Sequence, residues 1–312
     1  MSFNKEHTIF VEKYRPQTLD NYICDDQIRE KIQEFITNQD IPHLGFFGLQ
    51  GSGKSTLAKI LVNNIDCDFI YLNATENRGM DDIKEKVGSF ASARSFKPLK
   101  IVILDESTHI LQASQVLLLN MIETYSLTTR FILTGNYPER LIPPLRSRLQ
   151  EFKLTPPSKK VVAKHVYEIL NKEGVEFVLE DLASVVHSSY PDFRKIINDC
   201  QKYIVDNKLS LPKFLSKNDD VQSLILKELK TPTSKTFNNI RQIIADNDVS
   251  SFEDVFKHLY ECTNEYAVGC EGLIAIIIND CLYQSNFRVD LEINFMSGIS
   301  KIIETIKQNR VI

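Results

Sequence analysis

No C-x-x-C pair occurs in the 312 residues, and the six cysteines, Cys24, Cys67, Cys200, Cys262, Cys270 and Cys281, stand far apart. That spacing excludes the common zinc frameworks. An apolar run able to span a bilayer is also missing. The longest aliphatic stretch, Leu273 to Ile278, falls far short of the roughly 20 residues a spanning helix needs. Met1 to Glu6 lacks the apolar core of a secretion signal. The expectation is a soluble, cytoplasmic protein with no membrane partner, whose cysteines are buried thiols. Neither a repeat nor a low-complexity tract appears. Positive charge is not in excess either: 37 Lys and Arg against 41 Asp and Glu give a net charge of -4. This excludes a generally basic coat, so any contact with DNA or RNA must come from a local patch.

What is present is ordinary globular material, 43% hydrophobic and 25% charged, in a chain long enough for two or three domains. Its most informative stretch is Gly48-Leu49-Gln50-Gly51-Ser52-Gly53-Lys54-Ser55, placed between the apolar run Leu44 to Phe47 and an amphipathic segment, Thr56 to Asn63. The spacing G-x-x-x-x-G-K-[ST] between a strand and a helix predicts a phosphate-binding loop. Glycines let backbone N–H groups turn inward, and the helix points its positive end at the same spot. Lys54 then serves the β/γ-phosphates and Ser55 a Mg²⁺ ion. The implied ligand is ATP with Mg²⁺, contacted by Gly48, Gly51, Ser52, Gly53, Lys54, Ser55 and Thr56.

Further strands are expected at Phe69 to Asn73, Lys100 to Leu104, Arg130 to Thr134 and Leu149 to Leu154, with helices between them. The alternation predicts right-handed crossovers and a mostly parallel sheet. Asp105-Glu106 follows the continuous apolar run KIVIL, where a ligand of such a sheet lies. The pair suits a magnesium partner (Asp105) and a base for the attacking water (Glu106); in another context it would be two solvated acids. Asn136 ends the next strand. Arg146 and Arg148 lie near the sheet edge, as an arginine finger for a neighbour's ATP or as surface charges. Arg194 either folds over the phosphates or is a helix-surface charge. His43, with no partner spacing, reads as a hydrogen-bonded structural residue. From Thr155 onward the pattern is helices only, and the polar stretch Ser216 to Asp220 marks a second boundary. The expected organisation is a P-loop domain at 1–154, a small helical lid at 155–215 and a helical domain at 216–312.

Taken in order, FVEKYRP, GLQGSGKS, NRGMD, FASARSF, ILDES, LTGN, RSR and PDFRK resemble the ATPase subunits of sliding-clamp loaders, AAA+ proteins of the replication factor C type. PDFRK with KYRP is especially similar to the T-even-type phage branch, which would put the protein in a bacterial host's cytoplasm. The resemblance covers Ile9 to about Lys202. It implies α/β plus all-α architecture, with the C-terminal domain as an oligomerising collar in an open ring of ATPase subunits plus a different subunit. It also implies a sliding clamp and primer-template DNA as partners. Residue by residue it makes Asp105 the magnesium partner, Glu106 the catalytic base, Asn136 sensor 1, Arg148 the trans finger and Arg194 sensor 2. Tyr14, Arg15 and Pro16 look like the adenine-side segment. Arg78, Lys84, Arg94 and Lys97 form a DNA-tracking patch that reconciles an acidic chain with a nucleic-acid partner. The pattern departs from the family in Ser107-Thr108 after the acidic pair, in Leu149 where the finger motif has cysteine, and in Leu49-Gln50 where prolines are common. The alternatives are another AAA+ DNA-processing ATPase, or a nucleotide-bound scaffold without turnover.

Overall fold

Strand β3 (Leu99–Asp105) is buried at all seven positions, as a strand covered on both faces must be. Side chains alternate across a sheet, so Ile101 and Ile103 enter one core cluster while Val102 and Leu104 enter another on the opposite face. Each such fully buried aliphatic contributes about 1.5–3 kcal/mol. The computed structural model describes residues 9–76, 79–211, 218–247, 249, 251–285 and 287–310. They fall into two compact units, Met1–Leu209 and Ser210–Ile312.

In the first unit five parallel strands, β1 (Leu44–Gly48), β2 (Cys67–Asn73), β3, β4 (Thr129–Gly135) and β5 (Gln150–Leu154), stand in the order β2-β3-β4-β1-β5. Inner strand β1 pairs with both β4 and β5, and at its C-terminal end the chain turns into the Lys54–Asn64 helix. That helix and Asp26–Asn38 supply Leu57, Leu61, Ile32 and Phe35 to one face of the sheet. The other face receives Ile83, Val87, Leu118 and Leu145. The expected helix up to Ser92 is present, but Ile83–Val87 within it is π-helical.

Strand β3 carries a charge at its second position. Lys100 is 5% exposed, and its ammonium donates to the carbonyl oxygens of Phe90 (3.3 Å), Ala91 and Ala93 (2.8 Å). These are the orphan carbonyls at the end of the Gly88–Ser92 helix, where a cation is favoured.

Helices Lys159–Lys172, Leu179–Ser189 and Phe193–Lys202 follow β5. The expectation of helices only from Thr155 is corrected: the last of these stops at Lys202, and Ile204–Val205 pairs antiparallel with Lys208–Leu209. Asp206 and Asn207 make the two-residue turn at positive φ (49° and 62°), a conformation Asn and Asp tolerate best after Gly.

The second unit is helical: Asn218–Lys230, Thr236–Asp246, Phe252–Glu261, Thr263–Tyr266, Glu271–Ser285 and Leu291–Arg310. Phe295 centres its core, with ring centroids 4.8 Å from Phe256 and 5.1 Å from Phe252. The very apolar Glu271–Ser285 helix buries Ile274, Ile278 and Cys281 on one stripe and leaves Leu273, Ile276 and Tyr283 in solvent. None of the six cysteines forms a disulfide. Four are buried, whereas Cys24 and Cys262 are only half-buried, which corrects the expectation for those two. Among the described residues no helix is long and apolar enough to cross a membrane.

Candidate active site

The glycine-rich turn at the end of β1 has the backbone its sequence requires. Gly51 and Gly53 lie at φ +76° and +88°, and a Cβ at Gly53 would stand 2.8 Å from the Tyr22 ring. Only glycine meets both conditions. The turn leads directly into the first helical residue, Lys54, so the free N–H groups of that helix start point at the loop.

Lys54 is 5% exposed, and its ammonium donates to Gly48 O (3.1 Å), Leu49 O (2.9 Å) and Asn136 Oδ1 (2.7 Å). Burial lowers its pKa, while the carboxylates of Glu106 and Asp105 oppose that shift and Arg194 adds to it. Ser55 donates its hydroxyl to Asp105 Oδ1 at 2.7 Å. Thr134 also donates to Oδ1, and Tyr71 to Oδ2. Glu106 follows in the left-handed region (φ 55°, ψ 37°), which for a non-glycine residue costs about 1–3 kcal/mol. Its N–H donates to Thr134 Oγ1 at 3.2 Å. Glu106, one residue past the end of β3, lines the cleft beside the loop.

That cleft, ≈ 1060 Å³ with its solvent-open part included, is bounded by Gln50 to Thr56 on one side and by Tyr14, Arg15 and Pro16 on another. Tyr14 donates to Glu173 Oε1 at 2.6 Å, and burial together with that carboxylate pushes its hydroxyl up to about 12. Arg15 donates to Glu12 Oε2 at 2.9 Å. Arg194 reaches the cleft from the first turn of the Phe193–Lys202 helix, which Asp192 caps by accepting from Lys195 N at 3.0 Å. Sequence reasoning missed Val11, Tyr22, Ile23, His165, Phe193 and Ile197, which also line it. His165 packs on the Phe193 ring at 5.5 Å, and burial lowers its pKa, which favours the neutral ring. The available signals were indirect: Val11 lies in FVEKYRP, Phe193 in PDFRK, and His165 is a lone histidine in an apolar helical stripe.

A nucleotide and magnesium fit these residues. Ser52 Oγ is buried in the loop with no hydrogen-bond partner among the described residues, and the buried ammonium of Lys54 donates there to two carbonyls and an amide oxygen; both suit an anion. Among the described residues no group of three or more His, Cys, Asp and Glu could hold a metal alone. A divalent ion here would rest on Asp105, Ser55 and the substrate's phosphates, the oxygen-rich set magnesium prefers.

Other predicted residues lie elsewhere. Arg148 is half exposed and pairs with Glu123 at 2.8 Å; Arg146 grips Glu151 through Nε and Nη2, both at 2.8 Å. Lys84 and Arg94 are exposed, without a hydrogen bond or ion pair among the described residues. Lys97 is tied to its own fold, donating to Cys67 O (3.1 Å) and pairing with Asp66 (3.3 Å). Arg78 lies outside the described residues.

Residues 44–156, the sheet and its loop, match the family model described as "ATPase family associated with various cellular activities (AAA)". The chain is 33% identical over 293 residues to the replication factor C small subunit of Aeropyrum pernix, covering 90% of each. It is 32% identical over 292 residues to that of Staphylothermus marinus, covering 91% of this chain and 83% of the relative. Among solved structures, the RuvB Holliday junction branch migration motor of Thermotoga maritima superposes with a TM-score of 0.54 over 85% of each chain at 18% identity, a likeness of fold. With a nucleotide-type cleft on an AAA sheet and nearly full-length relatives, this chain belongs to the replication factor C small subunit family and is a clamp-loader-type ATPase subunit of DNA replication.

Proposed function

We propose that the chain binds ATP with Mg²⁺ between the loop Gly48–Ser55 and the segment Tyr14–Pro16, and hydrolyses it to drive the loading of a sliding clamp onto primer-template DNA. The observation that carries this reading is the mutual wiring of the cleft: Lys54 to Asn136 at 2.7 Å, Ser55 to Asp105 at 2.7 Å, and Glu106 alongside. Phosphate position is thereby linked to strand β4 through one side-chain contact.

In this reading Lys54, Ser52 and the loop N–H groups hold the phosphates, displacing the amine from the Gly48 and Leu49 carbonyls. Mg²⁺, held by Ser55 and Asp105, would neutralise charge developing on the phosphate oxygens. Glu106 takes the proton of the attacking water. Asn136 orients that water or the terminal phosphate, and Arg194 closes over the phosphates from the helical side. Arg148, outside its own cleft and half exposed, serves the ATP of the next subunit in an open ring that includes a different subunit. Arg94 and Lys84, with Arg78, supply phosphate contacts to DNA. Lys97 joins them only by releasing Asp66. PDFRK and KYRP favour the T-even-type phage branch of the family and hence a bacterial cytoplasm.

The purified assembly, given clamp and primed DNA together, should hydrolyse ATP several-fold faster than with either alone. Arg148→Ala should abolish the stimulation and leave nucleotide binding intact. Equal rates with and without DNA would overturn the reading.

A further inference from the structure

Asp105 is held from both of its oxygens. Oδ1 accepts from Ser55 (2.7 Å) and Thr134, whereas Oδ2 accepts from the Tyr71 hydroxyl. Tyr71 stands on β2, the edge strand of the sheet, paired in register with Ile103 two residues before Asp105. Its ring lies under the Lys59 ammonium, 4.8 Å from the centroid, and is still 38% exposed. A phenol so placed can hydrogen-bond water at no cost, yet it is turned onto the one carboxylate at the neighbouring strand's end.

We propose that Tyr71 is a positioning residue for the magnesium site: its hydroxyl engages Asp105 Oδ2 and fixes the carboxylate so that Oδ1 faces Ser55. This rests on the reading of Ser55 and Asp105 as the magnesium partners. A ligating carboxylate without its outer hydrogen bond rotates more freely, and removal of such outer partners typically costs 10–100-fold in metal affinity. Lys59 packs over the ring as well, so the phenol is held by two contacts.

The test is binding of a fluorescent ATP analogue to the full chain, titrated with Mg²⁺. Tyr71→Phe keeps the ring under Lys59 and deletes only the hydroxyl. The Mg²⁺ concentration at half-saturation should rise about tenfold, while nucleotide affinity in excess chelator stays unchanged. Ser55→Ala is the companion measurement. If Ser55→Ala shifts the Mg²⁺ midpoint and Tyr71→Phe does not, the role of Tyr71 is overturned while the metal site stands. If neither shifts it, the metal reading itself fails. A Tyr71→Phe loss of affinity that is equal with and without Mg²⁺ also overturns the proposal, because it places the effect on the loop or the fold.

Discussion

The two units bury different chemistry. The first holds Lys54, Lys100, Asp105, Ser107, Gln115 and Thr134 among its buried polar groups, whereas Thr236, Thr263 and Asn294 are those of the second among the described residues. The surfaces differ less: large apolar side chains stand in solvent on both units, Phe96 and Leu127 on the first, and Phe287 and Val289 on the second. Buried polar groups cost free energy unless matched, and each of the first unit's charges is matched, Lys100 by helix carbonyls and Asp105 by hydroxyls. An interior arranged that way has been shaped by a reaction as well as by packing. The second unit's described interior is mainly apolar packing around Phe295, with Asn294 donating to Cys281 O at 2.9 Å.

That contrast can be broken by changing one unit and reading the other. The largest effect expected is on turnover: Glu106→Gln should slow ATP hydrolysis by about 10²–10⁴ while nucleotide binding and the unfolding of the helical unit stay put. A variant with near-normal turnover would remove Glu106 from the chemistry. The same substitution leaves the left-handed backbone in place, so no stability gain is expected. Next comes Phe295→Ala, which empties the centre of the second unit's core and should cost about 3–5 kcal/mol of that unit's stability in denaturant unfolding. Nucleotide affinity should not move. If it falls together with stability, the two units unfold as one and the contrast is not thermodynamic.

How much of this could be read beforehand depended on the distance over which each feature is specified. Strands β1 and β3 and the loop are local: an apolar run, two glycines and a lysine at fixed spacing suffice. The cleft's remaining wall was not legible, because Val11, Tyr22, His165 and Ile197 come from segments that only the topology brings together. Lys100 read as part of an apolar strand, since nothing in KIVIL says that a helix end waits above its ammonium. Tyr71 was only one residue of the expected strand Phe69 to Asn73; the β2–β3 register pairs it with Ile103, from where its hydroxyl reaches Asp105 Oδ2. Arg148 stands apart from the cleft, paired with Glu123, and the role proposed for it needs a neighbouring subunit that one sequence does not describe.

The smallest effect sharpens the comparison through pH. His43 accepts a hydrogen bond from Phe131 N–H at 3.2 Å, and its ring lies 5.7 Å from the Phe131 ring. Burial, and then the neighbouring Arg130 guanidinium, lower its pKa to about 4 from 6.5. Arg130 is itself held by Ile41 O at 2.6 Å and paired with Asp40 at 3.3 Å, so that carboxylate is committed to the arginine. Above pH 6.5 the imidazole is neutral in folded and unfolded chains alike, and its packing is fully available. Between 6.5 and 4 the unfolded chain takes up a proton that the folded one refuses, so the first unit loses stability as pH falls through that window. His43→Asn keeps an acceptor for Phe131 N–H and cannot titrate. The wild-type melting temperature should therefore fall more steeply than the variant's between pH 6.5 and 4, while the second unit's transition tracks identically in both. Parallel slopes for the first unit would mean that His43 sheds its buried position before it is protonated, and that this part of the sheet's rim opens without cost.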